Sequence, residues 1–294
     1  MSTAKIELRG VTHDFVTGEG QLFRALDDVG FSVSPGRFIS LIGPSGCGKS
    51  TIFNAIAGLQ TPSAGSIIID GHEVTGMIGL VGYMLQKDLL FPWRTVLDNV
   101  VLGMEIRGVK VREAREYARP FLARYGLGGF EDQYPAALSG GMRQRAALLR
   151  TLLFDSEIIL LDEPFGALDA QTRARMQEWL LQIWSDFGKT VIFVTHDVEE
   201  AVYLSDEIYV MAARPGRIRA RLDVPLARPR PRHITLEPAF ARLKERCLAL
   251  LDEEALTPGD AHPLGAQAPS AEPALAIEPP PPSAQRLSTP GLAA

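Results

Sequence analysis

The stretch Phe38-Ile39-Ser40-Leu41-Ile42-Gly43-Pro44-Ser45-Gly46-Cys47-Gly48-Lys49-Ser50-Thr51 decides the fold. It opens with a short apolar run of the kind that forms a buried strand. Residues 43–50 then fit the pattern G-x-x-x-x-G-K-[ST], and residues 52–59 take up helical spacing. Strand, glycine loop and helix follow in the order that a phosphate cradle requires. Glycines at 43, 46 and 48 permit backbone angles that a side chain forbids, so successive N–H groups can turn inward around phosphate oxygens. The N-terminus of the following helix adds to the same positive field. Gly43, Pro44, Ser45, Gly46, Cys47, Gly48, Lys49, Ser50 and Thr51 are therefore candidate phosphate contacts. Lys49 would lie along the β- and γ-phosphates, and the Ser50 hydroxyl would ligate Mg²⁺.

The 294 residues, 46% hydrophobic and 22% charged, suffice for one large α/β domain or for a domain with a small appendage. No apolar run approaches the roughly 18 residues that cross a bilayer, and residues 1–20 lack the apolar segment of a secretory signal, which predicts a soluble cytoplasmic chain. Two cysteines, one inside the phosphate loop, are too few for a disulfide framework and agree with a reducing compartment. A net charge of −5 argues against wholesale nucleic-acid binding. One local exception is the run of arginines 214, 217, 219, 221, 228, 230 and 232, which reads as a solvated edge or as a face for an anionic surface such as lipid headgroups.

Along the chain, residues 5–11 and 25–33 alternate as edge strands would, and they frame a loop holding Phe15 and Phe23. An aromatic ring there can stack on a nucleobase, although a lone Phe is more often core. Residues 66–70 and 78–84 read as further strands, the second delivering Gln86 to its C-terminal end, where ligands sit in such sheets. From about 87 to 155 helical patterns take over, at 96–106, 111–125 and 142–154, as in an inserted helical subdomain. Strands return at 158–161 and 190–194 around a helix at 170–187, the alternation of a parallel sheet. Segments 207–212 and 217–222 can close its edge, and 238–254 is an amphipathic helix. The domain thus extends over about 1–256. The Pro- and Ala-rich remainder, 257–294, is expected to be a disordered tail.

A second chemical centre lies at Ile158-Ile159-Leu160-Leu161-Asp162-Glu163-Pro164, an apolar strand that ends in two carboxylates. Asp162 would hold Mg²⁺, and Glu163 can accept a proton from a water in line with the γ-phosphate. Another strand ends in Thr195-His196-Asp197, which brings His196 to the same rim; alone, such a His is more often structural.

With Leu138-Ser139-Gly140-Gly141-Met142-Arg143-Gln144-Arg145 added, the chain resembles the ATPase subunit of an ABC transporter over residues 5–222. That octapeptide is similar to the family's LSGGQ signature, with Met142 where Gln is usual. The resemblance implies an α/β fold of the P-loop NTPase type, with a mainly parallel sheet core, a small antiparallel β part and an inserted helical subdomain. It implies ATP and Mg²⁺ as cofactors and a head-to-tail homodimer in which Ser139, Gly140 and Gly141 meet the γ-phosphate held by the other subunit. Gln86 is similar to the Q-loop glutamine that senses Mg²⁺ and the attacking water, residues 167–169 with Asp169 to the D-loop, and His196 to the switch histidine. Phe15 takes the place of the adenine-stacking aromatic, usually Tyr. Within the family, the signature and segments 91–100 and 194–201 resemble the nitrate, sulfonate and taurine importers. The expected partners are transmembrane permease subunits and a periplasmic or lipid-anchored substrate-binding protein, with the chain peripheral on the inner face of the cell membrane. Bicarbonate or a thiamine-precursor pyrimidine are the alternative substrates. The competing class, an ABC ATPase acting on DNA or ribosomes, is disfavoured because only 90 residues separate Lys49 from Ser139 and each motif occurs once.

Overall fold

The computed structural model describes residues 4–255 apart from 17 and 19; the expected tail at 257–294 lies outside them. Two sheets form the frame. The larger contains β3 (Phe38–Ile42), β6 (Gly82–Met84), β7 (Ile158–Asp162), β8 (Thr190–Val194), β9 (Glu207–Ala212) and β10 (Arg217–Asp223), in the order β10-β9-β3-β8-β7-β6. All neighbours are parallel except β10, which returns antiparallel along β9. The smaller sheet is antiparallel, with β1 (Ile6–Val16), β2 (Leu22–Val33), β4 (Ala64–Ile69) and β5 (His72–Glu73) in the order β2-β1-β4-β5.

The central strands read as near-continuous apolar runs because both faces of the parallel sheet are covered. Alternate side chains then enter different cores. Ile39, Leu41, Ile158, Leu160, Ile192 and Val194 pack with α1 (Lys49–Ile56) and the small sheet. Phe38, Ile42, Ile159, Leu161, Val191 and Phe193 pack on the helical side. There lie α2 (Val96–Val100), α3 (Leu102–Ile106), α4 (Val111–Arg124), α5 (Gly140–Leu152), α6 (Ala170–Phe187), α7 (Val198–Leu204) and α8 (Pro238–Ala255). Between β6 and β7 the described residues hold α2 to α5 and a short 3-10 turn, and no strand.

Several expected boundaries move, each for a physical reason. Phe15 and Phe23 are not in a loop: β1 and β2 extend through them, and the two residues stand directly opposite each other. The expected strand at 78–84 shrinks to β6, because Ile78 and Leu80 are exposed and only residues 82–84 find a partner in β7. The expected helix at 96–106 breaks at Val101 into two short helices.

Register places the chemistry. Leu41 and Asp162 are both paired with Val194, and Met84 with Leu161, so β3, β8, β7 and β6 end level with one another. The residues just beyond those ends therefore share one rim.

Candidate active site

The phosphate loop leaves β3 at Gly43 and enters α1 at Lys49. Gly48 caps the helix at φ +91°, and a Cβ there would lie 2.5 Å from Leu26 Cδ2, so both the backbone angle and the space demand glycine. Lys49 is nearly buried; its Nζ donates to the carbonyls of Gly43 at 2.8 Å and Pro44 at 3.0 Å. It also reaches the Cys47 Sγ at 3.6 Å, so every partner is an uncharged group of its own loop, and such a cation is a fitting receiver for an anion.

Cys47 can serve the cradle through its backbone alone. Its side chain is 0% exposed, packed beneath the loop in the core shared by α1 and the small sheet, where the sulfur accepts from Lys49 Nζ at 3.6 Å. A thiol behaves there as a small apolar group with a weak acceptor.

Asp162 ends β7 and is almost fully buried. Ser50 Oγ donates to its Oδ2 at 3.2 Å, and the Tyr83 hydroxyl donates to the same oxygen at 3.4 Å. Burial pushes the Asp162 carboxyl above its ordinary range, and the Glu163 charge adds to this; the Ser50 and Tyr83 hydrogen bonds and the Lys49 charge pull the other way. A desolvated carboxylate beside a hydroxyl is an all-oxygen donor pair that fits a hard cation such as Mg²⁺, which would also offset the cost of burying the charge. Tyr83 was missed from sequence. Burial, then the Asp162 charge, hold its phenol above the ordinary value, so it stays a donor.

Glu163, Gln86 and His196 come together as expected. Gln86 Nε2 donates to Glu163 Oε2 at 3.3 Å, and His196 Nδ1 lies 3.2 Å from the same oxygen. Glu163 adopts φ +43°, a left-handed angle costing a non-glycine residue about 1–3 kcal/mol. Its N–H donates to Val194 O at 2.9 Å and its carbonyl accepts from Gly166 N at 3.1 Å, which hold it there. Strain kept at a carboxylate on the rim is the pattern of a working group rather than of a packing one.

The structure does not bring Ser139, Gly140 and Gly141 into this cluster. Ser139 caps α5, its Oγ accepting from Met142 N at 3.3 Å, and Gly141 sits against Thr172 of α6. Asp169 caps α6, its Oδ1 accepting from Gln171 N at 3.1 Å and Thr172 N at 3.0 Å. Signature and D-loop are thus neighbours at two exposed helix starts. Phe15 is half-buried on β1, and the His13 ring meets it edge-on with centroids 4.5 Å apart.

Two arginines take a role that the sequence did not assign, Arg143 within the quoted octapeptide and Arg150 beyond it. Arg150 donates to the carbonyls of Asp88 at 2.6 Å and Leu89 at 2.8 Å, while Arg143 reaches Asp88 Oδ2 at 3.3 Å and Leu138 O at 2.7 Å. They tie the segment after Gln86 to the helix that begins at the signature. The arginine run divides: Arg214, Arg217, Arg219 and Arg221 are exposed, as a solvated edge would have them, whereas Arg228 pairs with Asp206 and lies over the Trp184 ring, Arg230 is buried, and Arg232 donates to Gln177. These three staple the C-terminal segment to α6 and α7 instead of forming a basic face.

Comparison with known proteins agrees with this geometry. The family described as ABC transporter matches residues 26–166. The chain is 47% identical over 252 residues, 86% of its own length and 93% of the relative's, to an uncharacterized ABC transporter ATP-binding protein of Methanocaldococcus jannaschii. It is 44% identical over 242 residues to a taurine import ATP-binding protein of Rhizobium johnstonii, covering 81% of this chain and 92% of that one. Among solved structures, the dimeric post-hydrolysis state of the ATP-binding cassette MJ0796 bound to ADP and Pi superposes with a TM-score of 0.65 at 31% identity, covering 76% of this chain and all of that one. Loop, acidic strand end and rim glutamine and histidine thus occur in a chain whose relatives are ATP-binding cassettes: it belongs to the ABC transporter family, as an ATP-hydrolysing ATP-binding subunit.

Proposed function

We propose that this chain powers an importer of a small anionic solute of the nitrate, sulfonate or taurine class. It works as a homodimer on the inner face of the cell membrane, beneath permease subunits fed by a periplasmic or lipid-anchored binding protein. The observation that carries the catalytic part is the convergence of Gln86 and His196 on one oxygen of Glu163, next to the Ser50–Asp162 pair. Bound ATP would supply the phosphoanhydride, and a Mg²⁺ ion beside it would offset phosphate charge. Lys49 exchanges its loop carbonyls for phosphate oxygens, and the loop backbone from Gly43 to Thr51, apart from Pro44, which has none, donates N–H groups. Ser50 and Asp162 would hold that cation. Glu163 takes the proton of the attacking water, oriented by Gln86 and His196. Phe15 supplies the face on which adenine stacks.

The dimer follows from a division of labour. Ser139, Gly140 and Gly141 begin a helix at an exposed surface away from their own loop, so their N-terminal field is free to meet the nucleotide of a second copy, flanked by Asp169. The importer part draws on the relatives named for taurine import and on the surface after Gln86. There Leu89 and Trp93 are exposed, apolar groups fit to meet an amphipathic helix of a membrane subunit. No helix among the described residues is long and apolar enough to cross a membrane.

Glu163→Gln tests the reading. Turnover should fall by roughly 10²- to 10⁴-fold with ATP still bound, and ATP should then trap a dimer visible by light scattering. Wild-type turnover, or a dimer indifferent to ATP, would overturn it.

A further inference from the structure

Arg173 stands in the first turn of α6, four residues after Asp169, and the motifs do not include it. Its Nη2 donates to Leu168 O at 3.0 Å, within the D-loop. On the other side its Nη1 lies 3.8 Å from Asp197 Oδ2 and its Nε 3.8 Å from Glu200 Oε1. The Nε is buried and has no hydrogen-bond partner among the described residues. The guanidinium therefore sits between two carboxylates without closing on either.

Those carboxylates belong to the turn and first helical residues that follow His196. Asp197 caps α7, its Oδ1 accepting from Glu199 N at 2.8 Å and Glu200 N at 3.3 Å. Glu200 is buried and accepts from Thr195 Oγ1 at 2.7 Å and from Gln177 Nε2 at 3.0 Å. Asp197 N in turn donates to Thr195 Oγ1 at 3.0 Å. His196 is thus the exposed middle of a fixed turn, and it reaches Glu163 Oε2. From Glu163, tight turns through Gly166 N to Glu163 O and Leu168 N to Phe165 O lead back to Leu168. The contacts close a ring: Glu163, Leu168, Arg173, Asp197 and Glu200, His196, Glu163.

We propose that Arg173 is a positioning residue that couples the D-loop to the histidine turn, so that a displacement at Leu168 and Asp169 moves His196 against Glu163. The inference rests on the proposed roles of His196 and Glu163. A shared, loosely closed ion pair suits this task better than a saturated one, because the guanidinium can shift between Asp197 and Glu200 while keeping Leu168. A displacement at Leu168, where a second copy would approach, then has a physical path to the hydrolytic pair, and Arg173 is the element that both ends bias.

The test is steady-state ATPase kinetics of the full chain. Arg173→Met keeps the apolar stem and should lower kcat about 10- to 100-fold, with KM for ATP within about twofold of wild type. In a His196→Ala background the same change should cost less than about twofold more, because a residue that acts through His196 then has nothing to act on. Arg173→Lys, with one nitrogen in place of three, should recover only part of the rate. Wild-type kcat in Arg173→Met overturns the inference. So does a loss that multiplies fully with His196→Ala, or one matched by the unfolded fraction in a thermal melt. His196→Ala at the wild-type rate would remove the reading of the histidine and this inference with it. An impaired His196→Ala beside an unimpaired Arg173→Met would remove this inference alone.

Discussion

Lys49 and Arg230 are both buried cations held by backbone carbonyls, and the difference between them separates a site from a staple. Lys49 has two carbonyl acceptors, Gly43 and Pro44, both from the loop it belongs to. Arg230 donates to five carbonyls: Val202 at 3.3 Å, Tyr203 at 2.9 Å and Ser205 at 2.8 Å around the end of α7, and Val224 at 3.4 Å and Leu226 at 3.1 Å beyond β10. Burial, then the neighbouring Arg228 charge, push its pKa down to about 10, which still leaves it charged at neutral pH. Its donors complete the carbonyls that a helix end leaves open. A cation with saturated, permanent acceptors joins chain segments; one whose few acceptors can be exchanged for a better anion binds a ligand.

The sharpest way to break this comparison is Lys49→Ala, which should weaken ATP binding by about 10²-fold or more in calorimetric titration, since charged hydrogen bonds contribute about 1.5–3 kcal/mol each. Its melting temperature should stay near wild type. Arg230→Met should do the reverse, costing about 3 kcal/mol of stability, or about 6–12 °C in melting temperature, while the ATP Kd stays within about twofold. Weaker ATP binding in Arg230→Met, or unfolding in Lys49→Ala, would dissolve the distinction.

Trp93 extends the idea of an exchangeable partner to an apolar group. The residue is 72% exposed, its ring stacked on Phe91 with centroids 5.1 Å apart and available to a second protein. Trp93→Ala should lower solute uptake in cells about tenfold with ATPase activity of the isolated chain within about twofold. Equal losses of uptake, ATPase activity and stability would assign the ring to internal packing. The smallest effect belongs to Cys47, whose burial predicts that maleimide labels it only after unfolding in urea, with or without Mg·ATP. Labelling of the native protein that nucleotide slows would put the thiol back in the cradle.

Patterns of spacing carried most of the fold and the site. The order of strand, loop and helix at 38–56, the acidic end of β7 and the histidine after β8 are local signals, and parallel pairing then brings them to one rim without further information. What escaped depends on distance in sequence. Nothing local distinguishes Arg230 from the exposed Arg217; its burial comes from α7 and the chain after β10 meeting around it. Tyr83 and Arg173 gain meaning only from Asp162 and Asp197, their partners on other elements. Cys47 follows the same rule: its neighbours in sequence are loop, but its neighbours in space are core.

Segments remote in sequence also fix the shape of the phosphate loop from beneath. Gly216 exchanges backbone hydrogen bonds with β2, donating to Ala25 O at 2.9 Å and accepting from Asp27 N at 3.0 Å, and a Cβ on it would collide with the Cys47 carbonyl. At the other end of the loop, a Cβ on Gly43 would come within 2.9 Å of Met211 O. The cradle is therefore a mould cast by three parts of the fold before any nucleotide arrives. Binding then spends little free energy on ordering the loop, so affinity is set chiefly by how well the mould fits a triphosphate.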